Sequence, residues 1–211
     1  VGSTSSDAGT VVPSGVQIGL GVKLAAVYRI HAQGNLTATD NTFDLAIQGN
    51  GFFEITKPDG TTAFTRDGTF QMNGSGELVT HDGFTVAGGI SVPEDAIDVT
   101  VNSSGEVLAK IQGQVALSNV GQIQLATFPN PAGLQAEGGN MFTETAASGA
   151  ATTSTAGSAG VGSILQGFLE TSNVNAVEEI SNLISAQRAY EMNSKVIQTS
   201  DEMMGTLTQM R

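Results

Sequence analysis

Few side chains in this sequence are placed to do chemistry. His31 and His81 have no carboxylate or second histidine at metal-ligand spacing, so each reads as a surface or turn residue. Serine and threonine abound, yet none has a histidine base beside it to make a nucleophile. Gln48-Gly49-Asn50-Gly51-Phe52-Phe53 has the glycine density of a phosphate loop but lacks the third glycine, the lysine and the following helix. A tight β-turn accounts for it. Arg66-Asp67-Gly68 reads as an Asp-Gly turn preceded by a solvated arginine. Glu137, Glu144 and Asp95 would serve an acidic hydrolase only if they converged in a cleft, and nothing in their spacing recommends that. Three of the six methionines, Met203, Met204 and Met210, fall in the last nine residues at helical spacing, where assembly contacts explain them better than metal binding. The sequence therefore assigns no catalytic, metal-binding or cofactor-binding residue.

Composition narrows the remaining classes. Only 13% of the 211 residues are charged and 5% aromatic, tryptophan is absent, and glycine numbers 27. That describes a turn-rich β protein with thin cores. A net charge of −12 argues against nucleic acid, because no basic patch exists to displace counterions from phosphate. The same charge disfavours attachment to anionic lipid, and no apolar run approaches the roughly 20 residues of a membrane span. With no cysteine, disulfides and thiolate metal sites are excluded. Val1 is not an initiator methionine, so the expectation is that the natural N-terminus lies upstream and that a missing targeting segment says nothing.

Four segments follow from pattern. Residues 1–21 read as an extended segment. Residues 22–145 read as a β domain of short strands, Greek-key or barrel-like, in which Phe43–Ile47 and Val99-Thr100-Val101 alternate, as does Val16-Gln17-Ile18-Gly19-Leu20 ahead of it. Asp59-Gly60, Asp67-Gly68, Asn73-Gly74, Asp82-Gly83 and Ser104-Gly105 each offer a glycine for positive φ at a hairpin turn. Residues 146–172 read as an irregular return, with Ala146–Ser163 small, polar and nearly chargeless like a flexible linker. Residues 173–211 read as one long helix of coiled-coil type.

That helix carries the functional signal. Ala176, Leu183, Tyr190, Ile197 and Met204 stand seven apart, and Ala189, Val196, Met203 and Met210 form a second row beside them. Heptad spacing keeps such rows on one side only if the helix supercoils around another. The intervening position runs Ile180, Gln187, Ser194, Asp201 and turns polar, which disfavours a simple two-stranded coil and fits several shallow contacts in a larger array. Asn173 and Asn175 are good N-caps, Glu178 and Glu179 suit the first turn, and no proline interrupts. Ala176, Ile180, Leu183, Tyr190, Val196, Ile197, Met203 and Met204 are the expected assembly interface, for a partner helix this sequence does not contain.

The run Glu170-Thr-Ser-Asn-Val-Asn-Ala-Val-Glu-Glu-Ile180, with Gln187-Arg-Ala-Tyr-Glu-Met-Asn-Ser-Lys195, resembles the C-terminal signature of bacterial flagellar rod and hook axial proteins. Asp44-Leu-Ala-Ile-Gln-Gly-Asn-Gly-Phe-Phe53, Phe64-Thr-Arg-Asp-Gly-Thr-Phe70 and Gly76-Glu-Leu-Val-Thr80 resemble that family's central motifs, with Phe64 where tyrosine is usual. Pro13–Val22 and Gln33–Asn41 look most like its distal rod members, whose stretch corresponding to Val1–Gly21 the hook lacks and is associated with stiffness. The resemblance covers nearly the whole chain. It implies a non-enzymatic subunit, exported unfolded through the flagellar secretion apparatus, that stacks into a helical homo-oligomeric tube. In that family the C-terminal helix pairs with an N-terminal helix of the same chain. The implied location is the periplasm-spanning rod of the flagellar basal body, carrying torque between proximal rod proteins and hook protein inside the surrounding rings. The implied partners include no nucleic acid, the implied subunit is not inserted in the membrane, and no cofactor is implied. Proximal rod and hook-type axial proteins are the nearest alternatives within the family. A non-flagellar β binding module on a helical stalk is the competing class.

Overall fold

The structure, a computed structural model, describes residues 29–209, and the chain from His31 onward forms a unit of its own. The expected extended segment 1–21, with its Val16–Leu20 alternation, and Met210 lie outside the described residues. Within them are sixteen short strands, all paired antiparallel in open sheets, and one long helix, Ala176–Gln209. The mainly β architecture with a C-terminal helix agrees with the composition.

The largest sheet has nine strands. Along it run Gln135–Gly138, Met141–Thr143, Thr62–Thr65, Phe52–Thr56, Thr85–Val86, Leu78–Thr80 and Phe70–Met72, while Gln124–Thr127 joins Phe52–Thr56 and carries Thr152–Thr155. Ala96–Val101, Glu106–Ile111 and Ser118–Gln122 make a three-stranded meander. Two further pairs are Leu45–Gln48 with Ser163–Gln166 and Leu36–Ala38 with Phe168–Glu170. Gln166 ties the meander in: its amide donates to the Thr42 and Val99 carbonyls and its oxygen accepts from the Val101 amide.

Successive side chains of a strand face opposite sides of a sheet, and here both sides are covered. Phe53 and Leu125 enter the main core with Leu45, Ile47, Phe70 and Ile164, whereas their neighbours Phe52 and Ala126 enter a second core with Phe64, Phe128 and Leu134. In the second core the rings meet edge to face, Phe64 to Phe128 at 4.8 Å and Phe52 to Phe128 at 5.8 Å, the arrangement their quadrupoles favour. Val99 and Val101 alternate with exposed Thr100 as expected, but Leu45, Ala46 and Ile47 are all buried, because that strand has protein on both faces.

The glycine turns divide by physical role. Gly60, Gly83 and Gly105 take positive φ at hairpins between paired strands. At the first of these the Thr61 hydroxyl and amide donate to Asp59, holding its carboxyl below the ordinary range. At Asn73-Gly74 the positive φ falls on Gly76 instead. Asp67-Gly68 makes no hairpin: Thr62–Thr65 and Phe70–Met72 are not neighbours, and Gly68 is required because a Cβ there would lie 1.6 Å from the Leu45 carbonyl oxygen.

The stretch 146–172 is not the irregular return that its composition suggests. Thr152–Thr155 pairs over its full length with Gln124–Thr127, and Ser163–Gln166 and Phe168–Glu170 are strands as well. Ser148 is fully buried, its hydroxyl donating to backbone carbonyls and accepting the Thr145 amide. Small side chains allow backbone pairing and close approach without bulk, and β-branched threonines suit a strand.

Candidate functional site: the exposed helix and its anchor

No proline interrupts residues 173–211, and the helix begins where its cap allows. The Asn175 side-chain oxygen accepts from the Val177 amide at 3.2 Å and the Glu178 amide at 3.5 Å, while Glu178 and Glu179 set negative charge on the first turn. Thirty-four residues reach roughly 50 Å at 1.5 Å each. Ser181, Ser185 and Thr199 turn their hydroxyls onto carbonyls four residues back, so these polar side chains serve their own helix.

Every described side chain from Ala176 to Gly205 is exposed. Of the expected interface, Ile180, Leu183, Tyr190, Val196, Ile197, Met203 and Met204 are each more than half exposed, and Ala176 is exposed with them. Heptad reasoning missed Val177, Ile184 and Met192, which are also exposed and apolar. Spacing of three and four finds the first two, since Val177, Ile180 and Ile184 share one face. At 3.6 residues per turn the row from Ala176 to Met204 rotates roughly 20° per heptad, about 80° in all, so no single neighbour on a straight helix can cover it.

The base of the helix is tied down by Arg66 and Glu170. Arg66 Nε meets Glu170 Oε2 at 2.9 Å, and its two Nη groups donate to the carbonyls of Gly51 and Gly49 at 3.2 and 3.1 Å. The guanidinium also sits 5.9 Å from the centre of the Phe52 ring. Arg66 is therefore not the solvated arginine expected beside a turn; its side chain is 16% exposed and that of Glu170 12%. The tight turn expected at Gln48–Phe53 bends at Gly49 and Asn50. It passes between strands of different sheets, and positive φ at Gly49 and Gly51 presents two carbonyls to Arg66. The second Glu170 oxygen accepts the Gly34 amide at 2.8 Å.

Around that ion pair the segment 32–38 is zipped to the segment leading into the helix. Leu36, Thr37 and Ala38 pair with Glu170, Leu169 and Phe168; the Thr171 amide donates to the Asn35 carbonyl and the Asn173 amide group to the Ala32 carbonyl. Gly34 is required there, since a Cβ would fall 1.8 Å from the Thr171 carbonyl oxygen. His31 also differs from expectation. Its ring stands edge-on to Phe142 at 5.3 Å and Phe52 at 5.8 Å, whereas His81 lies in an exposed turn beside Asp82.

Among the described residues no cluster of three or more acidic or histidine side chains is placed to hold a metal, and no helix is long and apolar enough to cross a membrane. The arrangement is a fixed base carrying a long helix studded with exposed apolar side chains. Residues 46–109 match the family model described as the flagellar hook protein FlgE/F/G D1 domain, and residues 165–210 match that of the flagellar basal body rod FlgEFG protein C-terminal region. The flagellar basal-body rod protein FlgG of Caulobacter vibrioides is 54% identical over 210 residues, which span 100% of this chain and 80% of that protein. FlgG of Borreliella burgdorferi is 47% identical over 204 residues, 96% and 77% of the two chains, and FlgG of Buchnera aphidicola subsp. Acyrthosiphon pisum is 45% identical over 207, 98% and 80%. With the motifs of both regions in place, this chain belongs to the FlgG family of flagellar basal-body rod proteins.

Proposed function

We propose that this structural subunit of the flagellar rod stacks helically with copies of itself to form the distal rod, joining proximal rod proteins to the hook protein within the surrounding rings and carrying motor torque. The observation that carries this is the helix Ala176–Gln209, whose described apolar side chains, from Ala176 to Met204, are exposed while its base is locked into the β domain. Ala176, Ile180, Leu183, Tyr190, Val196, Ile197, Met203 and Met204 are the inner contacts in this reading. A shaft under torsion needs contact area shared among many subunits and gains nothing from catalysis, so the role is structural and not enzymatic.

Replacing both Tyr190 and Ile197 with aspartate tests it. These positions are 78% and 63% exposed, so thermal unfolding of the purified variant should match the parent, while cells producing it should lack hooks and swimming. Normal rods in such cells, seen by electron microscopy of isolated basal bodies, would refute the assignment of these contacts.

A further inference from the structure

Two hairpin loops of the β domain are built alike. In Asn73-Gly74-Ser75-Gly76-Glu77 and in Asn102-Ser103-Ser104-Gly105-Glu106, the asparagine amide donates to the glutamate carbonyl, and the Gly76 or Gly105 amide donates back to the asparagine carbonyl. The Asn73 side-chain oxygen accepts the amides of Ser75 and Glu77, each at 2.9 Å, and its nitrogen donates to the Glu77 carboxylate at 2.8 Å. Asn102 repeats the pattern, with the Ser104 and Glu106 amides at 3.1 and 2.9 Å and the Glu106 carboxylate at 2.7 Å. Gly76 and Gly105, at φ of 79° and 86°, each turn a carbonyl toward a neighbouring segment, where the Val92 and Ile123 amides donate to them. The two loops differ at a single residue: glycine follows Asn73, and serine follows Asn102.

That difference bears on the chemistry of the asparagine. The backbone nitrogen of the next residue can attack an asparagine side-chain amide, and any side chain on that residue hinders the approach; glycine has none. The Gly74 amide meets no acceptor among the described residues, and the space beside its Cα is open. The two amides on the Asn73 oxygen polarise Cγ and are in place to hold the oxyanion that attack creates. Asn50-Gly51, the other Asn-Gly pair, is held differently. Gly51 is buried, the carbonyls of Gly49 and Gly51 accept from Arg66, and that of Asn50 accepts the Gly162 amide. That backbone cannot swing onto its own side chain without breaking the Arg66 site. The exposed loop at Gly74 opens at a far smaller cost.

We propose that Asn73 is a site of spontaneous deamidation in the folded protein, with water as the only co-reactant. The Gly74 nitrogen gives up its proton and bonds to Asn73 Cγ. The Cγ–Nδ2 bond breaks, the amide nitrogen departs as ammonia with that proton, and a succinimide remains. Water then opens the ring at either carbonyl, leaving aspartate or isoaspartate. The product undoes the loop. A carboxylate replaces the donor that faced Glu77, and the isoaspartyl form lengthens the backbone within the Asn73–Glu77 pairing. The loop joins Phe70–Met72 to Leu78–Thr80, which place Phe70 and Leu78 in the main core, so conversion loosens that end of the largest sheet. The reaction belongs to the folded chain and does not rest on the rod reading.

The two loops supply the test, because each serves as the control for the other. The purified chain is aged at neutral pH and body temperature, and each asparagine is followed by peptide mapping, with isoaspartate confirmed by enzymatic methylation of its carboxylate. Asn73 should convert while Asn50 and Asn102 stay as amides. Gly74→Ser, which fits because position 74 has open space and no positive φ, should slow conversion at Asn73 at least about tenfold, a barrier rise of roughly 1.4 kcal/mol. Ser103→Gly should create a second labile site at Asn102. Conversion of Asn73 no faster than that of Asn102, faster conversion at Asn50, or no slowing by Gly74→Ser overturns the proposal. An Asn102 that stays intact in Ser103→Gly overturns the part given to the loop's hydrogen bonds. Hydrogen exchange on aged protein checks the consequence: amides of Phe70–Met72 and Leu78–Thr80 should exchange faster than in fresh protein, and unchanged exchange overturns the link between conversion and the sheet.

Discussion

Arg66 meets four partners at once, Glu170, the carbonyls of Gly49 and Gly51, and the Phe52 ring. Removing one member of a largely buried pair strands the other charge, so Arg66→Ala should cost about 3–5 kcal/mol in urea unfolding. Arg66→Lys keeps the charge but loses the planar fork, and should recover only part of that cost. Glycines give a graded second prediction. Gly60→Ala meets open space and suffers only from positive φ, about 1 kcal/mol. Gly34→Ala must push Thr171 away and part the strands at the base of the helix, about 3 kcal/mol. Melting temperatures of the two variants give the order, and an equal loss at both positions would contradict the close approach at Gly34.

At the scale of elements, the helix is the part most open to reading from sequence. Its start is written in Asn175 and Glu178, and its continuity in the missing prolines. Asn175→Ala should cost about 1 kcal/mol, seen as a lower far-UV circular dichroism signal as the first turn frays. The hairpins at Gly60, Gly83 and Gly105 were equally legible, because turn chemistry is local. Thr152–Thr155 was not, since small polar residues carry no hydrophobic period and the strand exists only by pairing with Gln124–Thr127. The role of Arg66 was hidden for a related reason: Glu170 lies 104 residues away, and no local pattern announces a partner at that distance. The second core was likewise invisible, because only the fold shows that Phe52 and Phe53 face different sides.

Over the whole molecule the acidic balance sets how copies approach one another. Twenty carboxylates against eight lysines and arginines make every encounter repulsive at low salt. Raising ionic strength from about 10 mM to 150 mM shortens the screening length from roughly 30 to 8 Å. Polymer sedimented from the concentrated protein should increase over that range, and a decrease would mean that ion pairs, not apolar contacts, hold the copies together. The pairing of the first described strand with the last has a separate consequence, in time rather than space. Glu170 accepts the amide of Gly34 across 136 residues, and Ser163–Gln166 completes a sheet begun at Leu45–Gln48. Contacts so distant along the chain form late, after the intervening loops have closed. A chain synthesised from its N-terminus therefore lacks its closing strands until the segment just before the helix has been made, so the β domain locks only as the helix that follows it is being added.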